Sequence, residues 1–331
     1  MFSVIIPLYN KAAYVQKAIE SVLAQTYQEF ELIVVNDGST DTPLLLKGGY
    51  ENLSMDIPVD INSGDKLPLG GWGVLTQTNQ GVSVARNNGV KAAQYDYIAF
   101  LDADDWWEPT YLEEMKRLIE KFPEAGVYGS SYFKVKNGQF IRAVIGVEPN
   151  FNCGLINYFQ VYAKTMYMPL WTGATIIKKR IFESEKGFKP GLKLGEDFDL
   201  WVRVALNYPV AFINKPLSNY NQDVDLQYRA IGEKLYRPEE HMLFSNYVEL
   251  MKNPDFRFLF ERLALYGLLP YYLSGKNKKK VTEILAGIDW TKHEFKYKLY
   301  YKLLPKALVR LWMTTMKLGS ILKRKKLVSS G

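Results

Sequence analysis

The chain of 331 residues is poor in the residues from which much enzyme chemistry is built. It has one cysteine, Cys153, and two histidines, His241 and His293. A disulfide framework needs paired cysteines and a structural zinc site needs four Cys or His ligands, so ligand count excludes both. A Ser/His or Cys/His catalytic arrangement could draw only on those two histidines, and neither stands beside a nucleophile motif. No run reaches the ~18 apolar residues of a membrane-spanning helix. The longest, Leu263 to Leu273, is interrupted by Pro270. The apolar start, Met1 to Leu8, is closed by Asn10 and Lys11 and is too short for a secretory leader. With a single free thiol, these features read as a cytoplasmic chain. What remains for chemistry is carboxylates.

What is present is ample for a folded core: 47% of residues are hydrophobic and 14% aromatic. The net charge of +7 is unevenly spread. From Lys276 to Gly331 there are 15 Lys/Arg against 3 acids, a local +12, which leaves the remaining 275 residues at −5. The length suits two domains. The pattern becomes helical throughout near residue 228, so the expected division is a first domain over 1–226 and a basic helical region over 227–331.

The first 130 residues alternate between two periods. Val4-Ile5-Ile6, Leu32 to Val35 and Tyr97 to Leu101 are short continuous apolar runs, read as buried strands. Between and after them, Val15, Ala18, Ile19, Val22 and Leu23, then Tyr111, Met115, Leu118 and Phe122, fall on single helical faces. Such alternation predicts an α/β fold with a mostly parallel sheet covered by helices on both faces. Residues 42–76 break the rhythm and read as a long irregular connection in place of a crossover helix, a candidate flap. Residues 126–180 read as mixed strands, with Trp171 to Ile177 the most strand-like.

In parallel sheets ligands bind beyond the carboxyl ends of the strands. There the sequence places Pro7-Leu8-Tyr9-Asn10, then Asn36 to Asp41, then Asp102-Ala103-Asp104-Asp105, with Arg86 in the first turns of an intervening helix. Asp-x-Asp offers hard oxygen ligands to Mg²⁺ or Mn²⁺, which would bridge a diphosphate. Tyr9 suits stacking on a base, Asp37 accepting from a base imide or a ribose hydroxyl, and Arg86 neutralising phosphate. Singly, each has a plainer reading as turn, helix cap, core aromatic or solvated helix residue. Their ordered placement after successive strands sets them apart.

Ser3 to Asn10, Val35 to Asp41, Gly81 to Asn88 and Phe100 to Asp105, in that order, resemble the motifs of family 2 glycosyltransferases with the GT-A (Rossmann-like) fold, over about the first 225 residues. The resemblance implies a nucleotide-sugar site, with UDP as the nucleotide by family habit. Pro7, Tyr9, Asn10 and Asp37 would contact the nucleoside, Arg86 would lie near base or phosphate, and Asp102 and Ala103 would lie near the ribose. Asp102 and Asp104 would hold Mn²⁺ or Mg²⁺. In Gly195-Glu196-Asp197-Phe198 the acids open a helix, where they would also stabilise its dipole. The resemblance makes Asp197 the general base and Glu196 its neighbour on the acceptor. Where relatives carry a metal-binding His, this chain has Tyr220-Asn221-Gln222-Asp223. Asp223 is then either a substitute oxygen ligand or a surface loop acid. The Gln-x-x-Arg-Trp motif of processive synthases is absent, which points away from a polymerase. The resemblance implies one in-line displacement, hence an inverting transfer, onto a glycan or lipid-linked acceptor, as in bacterial surface polysaccharide synthesis. The alternative is a catalytically weak nucleotide-sugar-binding or assembly protein of the same fold. Over 296–326, basic residues (Lys306, Arg310, Lys317, Arg324) and apolar ones (Leu308, Leu311, Trp312, Leu318, Leu322) take separate helical faces. That arrangement reads either as a peripheral anchor on an anionic membrane or as a solvated bundle face. No nucleic-acid-binding module is present.

Overall fold

A computed structural model describes residues 1–41, 59–60, 71–224 and 235–313. The chain divides into two compact units, Met1–Met242 and Leu243–Gly331. The expected boundary at 226 lies outside the described residues, as does most of the 42–76 connection. The part of that connection that is described is not irregular. Residues 59–60 and 72–77 are strands, and Trp72 and Gly73 extend the pairing of Leu32 and Ile33.

The sheet begins as the apolar runs dictate. β1 (Phe2–Leu8) and β2 (Phe30–Asp37) are buried at every position, as strands covered on both faces must be. β1 pairs in parallel with β2 and with β5 (Tyr97–Phe100). β4 (Trp72–Gln77) lies parallel to β2, and β3 (Val59–Asp60) parallel to β4. Beyond β5 the sheet turns mixed. β10 (Thr175–Lys178) is antiparallel to β5 and to β7 (Val127–Lys136), and β11 (Val210–Asn221) runs parallel to β7. β6 (Trp106–Trp107), β8 (Gln139–Arg142) and β9 (Cys153–Ile156) add antiparallel pairings. The strand-like run Trp171 to Ile177 begins as a 3₁₀ turn over Thr172–Ala174 and only then becomes β10. Trp107 Nε1 and Ser218 Oγ both donate to the Gly173 carbonyl at 2.7 Å, which takes that carbonyl out of any ladder.

Among the described residues six helices dress this sheet: α1 (Ala12–Leu23), α2 (Val82–Ala92), α3 (Tyr111–Lys121), α4 (Tyr158–Thr165), α5 (Lys179–Ser184) and α6 (Glu196–Asn207). Val15, Ile19 and Val22 of α1 and Met115 and Leu118 of α3 share one core with Phe2, Val4, Ile6 and Leu8. Side chains alternate along a strand, so Ile5 faces the other way. There α2 lies against it at Gly89, where a Cβ would come within 2.5 Å of Ile5 Cγ2 and 3.0 Å of Val35 Cγ2. This close approach sets the depth at which α2 carries Arg86.

The second unit is helical: α7 (Pro254–Gly267), α8 (Leu269–Ser274), α9 (Lys278–Ala286), α10 (Phe295–Lys298) and a helical segment over 306–313. The helix break falls at Leu268, two residues before Pro270, where proline suits a new first turn. Of the basic stripe, Lys306 and Arg310 donate to carbonyls of Tyr272 and Leu273 near the end of α8. Leu308, Leu311 and Trp312 are exposed. Residues 314–331, with Lys317, Leu318, Leu322 and Arg324, lie outside the described residues. Among the described residues no helix is long and apolar enough to cross a membrane.

Alanine normally improves a helix interior over glycine by about 0.5–1 kcal/mol. At position 89 the added methyl meets two β-branched side chains that cannot rotate away, and overpacking costs about 1–3 kcal/mol. Gly89→Ala is therefore expected to destabilise the first unit and lower its melting midpoint by a few degrees in calorimetry. A rise in the midpoint would contradict the packing described.

Candidate active site

Because β1, β2, β4 and β5 run parallel, their carboxyl ends meet along one edge. At the first two, the chain ties its own loops together. Asn10 takes a left-handed conformation (φ 48°). Its Oδ1 accepts from Thr40 N at 2.8 Å, while Asn10 N donates to Ser39 Oγ at 3.2 Å. Ala12 N, opening α1, donates to Asp41 Oδ2 at 3.0 Å. Pro7 is buried within β1, whereas Tyr9 is 48% exposed, its ring available for stacking.

Asp37 is more committed than its sequence context suggests. Oδ1 accepts from Gln77 Nε2 at 2.7 Å and Gln80 N at 2.8 Å, and Oδ2 accepts from Gly81 N at 2.8 Å. A carboxylate has about four acceptor positions, so little capacity is left for a nucleoside. Its visible work is to clamp the 77–81 turn that launches α2. Ala103 differs in a similar way: its side chain belongs to the hydrophobic core, so only its backbone can face a ligand.

Arg86 is the centre of the site. Only 3% exposed, it donates from Nη2 to Asp102 Oδ1 at 2.6 Å and from Nη1 to Glu196 Oε1 at 3.2 Å. The Phe188 ring lies 5.1 Å from its Cζ. Burial works against the guanidinium charge, but Asp102 and Glu196 outweigh it and raise its pKa. Burial likewise pushes Asp102 toward protonation, and Arg86 and Lys11 reverse that, leaving it below the ordinary carboxylate range. Neighbouring Asn87 holds the Phe188 backbone from both sides, at 2.8 and 3.0 Å. The turn after β5 and the start of α6 thus meet on one arginine.

Two further carboxylates follow Asp102. Asp104 Oδ2 receives Lys11 Nζ at 2.5 Å, and burial keeps its pKa raised despite that partner. Asp105 accepts from Asn221 N at 2.8 Å through Oδ1, while its buried Oδ2 has no partner among the described residues. Burial first, then Asp104 and Asp102, raise its pKa well above the usual range.

Across the cluster, α6 starts from Gly195 in a left-handed conformation (φ 82°), where a Cβ would collide with Met242. This turn aims Glu196 at Arg86 and sets Asp197 in the first helical turn. Asp197 Oδ1 accepts from Phe198 N at 2.7 Å. Burial, then the adjacent Glu196 charge, raises the Asp197 pKa to about 7. Tyr132 stands within electrostatic reach of Asp197 and packs against Trp171, which packs against Tyr220.

Two contributors escaped sequence reasoning. Lys11 carries no motif signal. Asp199 is fully buried and receives Lys189 at 2.6 Å and Arg203 Nε at 2.9 Å. Arg203 in turn donates to the Gly187 carbonyl at 2.8 Å, holding the turn that bears Phe188. The i,i+4 spacing of Asp199 and Arg203 on α6 was the available clue. The histidines take no part in this cluster. His241 is buried, with its pKa lowered to about 4 by desolvation, and His293 is bonded to Glu261 at 2.7 Å within the helical unit.

The expected ligand trio Asp102, Asp104 and Asp223 is not assembled. Among the described residues no three Asp, Glu, His or Cys side chains converge closely enough to hold an ion. Asp223 accepts from Asn137 N at 2.6 Å and Gly138 N at 3.0 Å, closing the β7–β8 hairpin turn. The Asp102–Asp104 pair alone still fits Mg²⁺ or Mn²⁺, which commonly take one or two carboxylates and complete their shell with substrate phosphates and water.

Comparison with known proteins agrees with this architecture. Residues 3–179, more than half of the chain, match the family "Glycosyl transferase family 2". The chain is 31% identical over 226 residues to the glycosyltransferase GlyA of Streptococcus pneumoniae serotype 4, covering 66% of this chain but only 30% of that protein. It is 30% identical over 225 residues to the amylovoran biosynthesis glycosyltransferase AmsB of Erwinia amylovora, covering 66% of this chain and 69% of AmsB. Among solved structures, residues 1–349 of S. aureus TarS in complex with UDP-GlcNAc superpose with a TM-score of 0.56 at 19% identity, over 92% of this chain and 76% of that one. The family match takes in β1, β2, β5, Arg86 and the Asp102–Asp105 turn, though not Phe188 or Glu196, and the chain belongs to glycosyl transferase family 2 and has the GT-A fold.

Proposed function

We propose that this protein is an inverting, non-processive glycosyltransferase that moves a sugar from a nucleotide-sugar, with UDP as the nucleotide, onto a glycan or lipid-linked acceptor. The observation that carries the reading is the single buried arginine joining Asp102 at the end of β5 to Glu196 beside Asp197 at the start of α6. A diphosphate needs cations and an acceptor hydroxyl needs a base, and this node sets the two needs side by side. The name of AmsB supports polysaccharide biosynthesis, and the UDP-GlcNAc bound to TarS supports a UDP-sugar.

The chemistry is one in-line displacement. The acceptor oxygen bonds to the anomeric carbon as the carbon–phosphate oxygen bond breaks, and the electron pair leaves with the diphosphate. Asp197 accepts the hydroxyl proton. Tyr9 stacks on the base, and Arg86 faces the developing phosphate charge. A divalent cation on Asp102 and Asp104 would supply further neutralisation of the leaving diphosphate.

A pKa near 7 is well placed for a base working at neutral pH. Only the deprotonated carboxylate accepts a proton, so kcat/KM is expected to rise with pH and level off above about 7. Asp197→Asn should keep nucleotide-sugar binding in calorimetry and lose transfer, and slow donor hydrolysis, by about 10²-fold or more. Normal turnover in that variant would end the assignment of Asp197. Wild-type protein that binds UDP-sugars yet releases no nucleotide would favour a binding or assembly role on the same fold.

Exposed Leu304, Leu308, Leu311 and Trp312, with the basic sequence that follows, favour a second element of function, peripheral contact with an anionic membrane. Wild-type protein should float with vesicles containing phosphatidylglycerol, and the double variant L308E/L311E should stay in solution. Equal behaviour of the two would remove the membrane role.

A further inference from the structure

The two cations of the site are held differently. Arg86 is buried and forked between two carboxylates. Lys11 has one partner among the described residues, Asp104 Oδ2 at 2.5 Å, with side chains 22% and 14% exposed. An ammonium on a flexible stem is a point charge with three donors and no preferred fork. Its position is also one that local rules disfavour. Lys11 stands at the N-cap of α1, where Ser, Thr, Asp or Asn is preferred and where the helix dipole repels a cation. It makes no capping bond, and that duty passes to Asp41. A residue that breaks the local rule at a strand end and spends its charge on the Asp-x-Asp turn is held there for the site.

Resting on the reading of this site as one for a nucleotide diphosphate and a divalent cation, we propose that Lys11 is a tethered counter-ion for Asp104. It occupies that carboxylate in the donor-free chain and transfers to the diphosphate when donor and divalent cation bind together. Asp104 then never stands as an uncompensated buried charge. A free cation must displace the ammonium to reach Asp104, whereas a cation arriving with a diphosphate finds Lys11 drawn to a second anion. Metal and nucleotide therefore bind with positive coupling, and by linkage each tightens the other by the same factor.

The test is Mn²⁺ titration followed by electron paramagnetic resonance, with and without UDP, on wild type, Lys11→Met and Lys11→Gln. Folding is checked by far-UV circular dichroism. Without nucleotide, both variants should bind Mn²⁺ about tenfold more tightly than wild type. Their affinity for UDP should fall by a similar factor, and the coupling between the two ligands should shrink. Effects of opposite sign on metal and nucleotide are not produced by a merely structural lysine. Asp104→Asn added to Lys11→Met should abolish the gain in Mn²⁺ affinity. If wild type takes up Mn²⁺ with UDP but the Lys11 variants bind Mn²⁺ alone no more tightly, this inference is overturned while the site reading stands. If wild type takes up no Mn²⁺ even with UDP, both fall together.

Discussion

The structure turns on a guanidinium buried among acids. Arg86 reaches across from α2 to Asp102 on the sheet and Glu196 on α6, and without it Asp102, Asp104, Asp105, Glu196 and Asp197 would crowd together with one tethered lysine among them. Removing one partner of a buried charge pair costs several kcal/mol because the other is left uncompensated. The surrounding framework serves this contact. Gly89 lets α2 approach the sheet, Asp37 pins the turn before it, and Asn87 and Arg203 hold Phe188 beneath the guanidinium.

The same arrangement gives the acids different tasks. Asp102, paired with Arg86, stays ionised, whereas Asp197, raised to about 7, sits where a proton can be gained and lost near neutrality. Environments that push neighbouring carboxylates apart in pKa are how acid–base roles are divided within one site. The acid excess of the chain before Lys276 finds local expression here. The strongly basic remainder belongs to the second unit, where Lys306 and Arg310 secure the end of α8 and leave leucines outward.

Short continuous apolar runs alternating with one-sided helical stripes make β1, β2, β5, α1 and α3 legible, because strands covered on both faces carry such runs. The polar residues following these strands could be placed on one edge from topology alone. What sequence period cannot carry is the identity of a partner. Trp171 to Ala174 looked like strand until Trp107 and Ser218 were seen to take the Gly173 carbonyl. Asp37 and Asp223 looked available as ligands, yet both are occupied by backbone N–H groups of nearby turns. The Lys11–Asp104 pair, 93 residues apart, leaves no local signature, whereas Asp199 carries one in its i,i+4 spacing to Arg203.

The claim that one arginine couples donor and acceptor sides is tested most directly by a double-mutant cycle on Asp102→Asn and Glu196→Gln, read as unfolding free energy. The two carboxylates share a partner rather than a contact. Loss of either charge leaves Arg86 compensated by the other, and loss of both leaves a buried cation with neither of its paired carboxylates. The account predicts that the double variant is destabilised beyond the sum of the single ones by about 1 kcal/mol or more. Strict additivity would show that Asp102 and Glu196 act independently, and would contradict it.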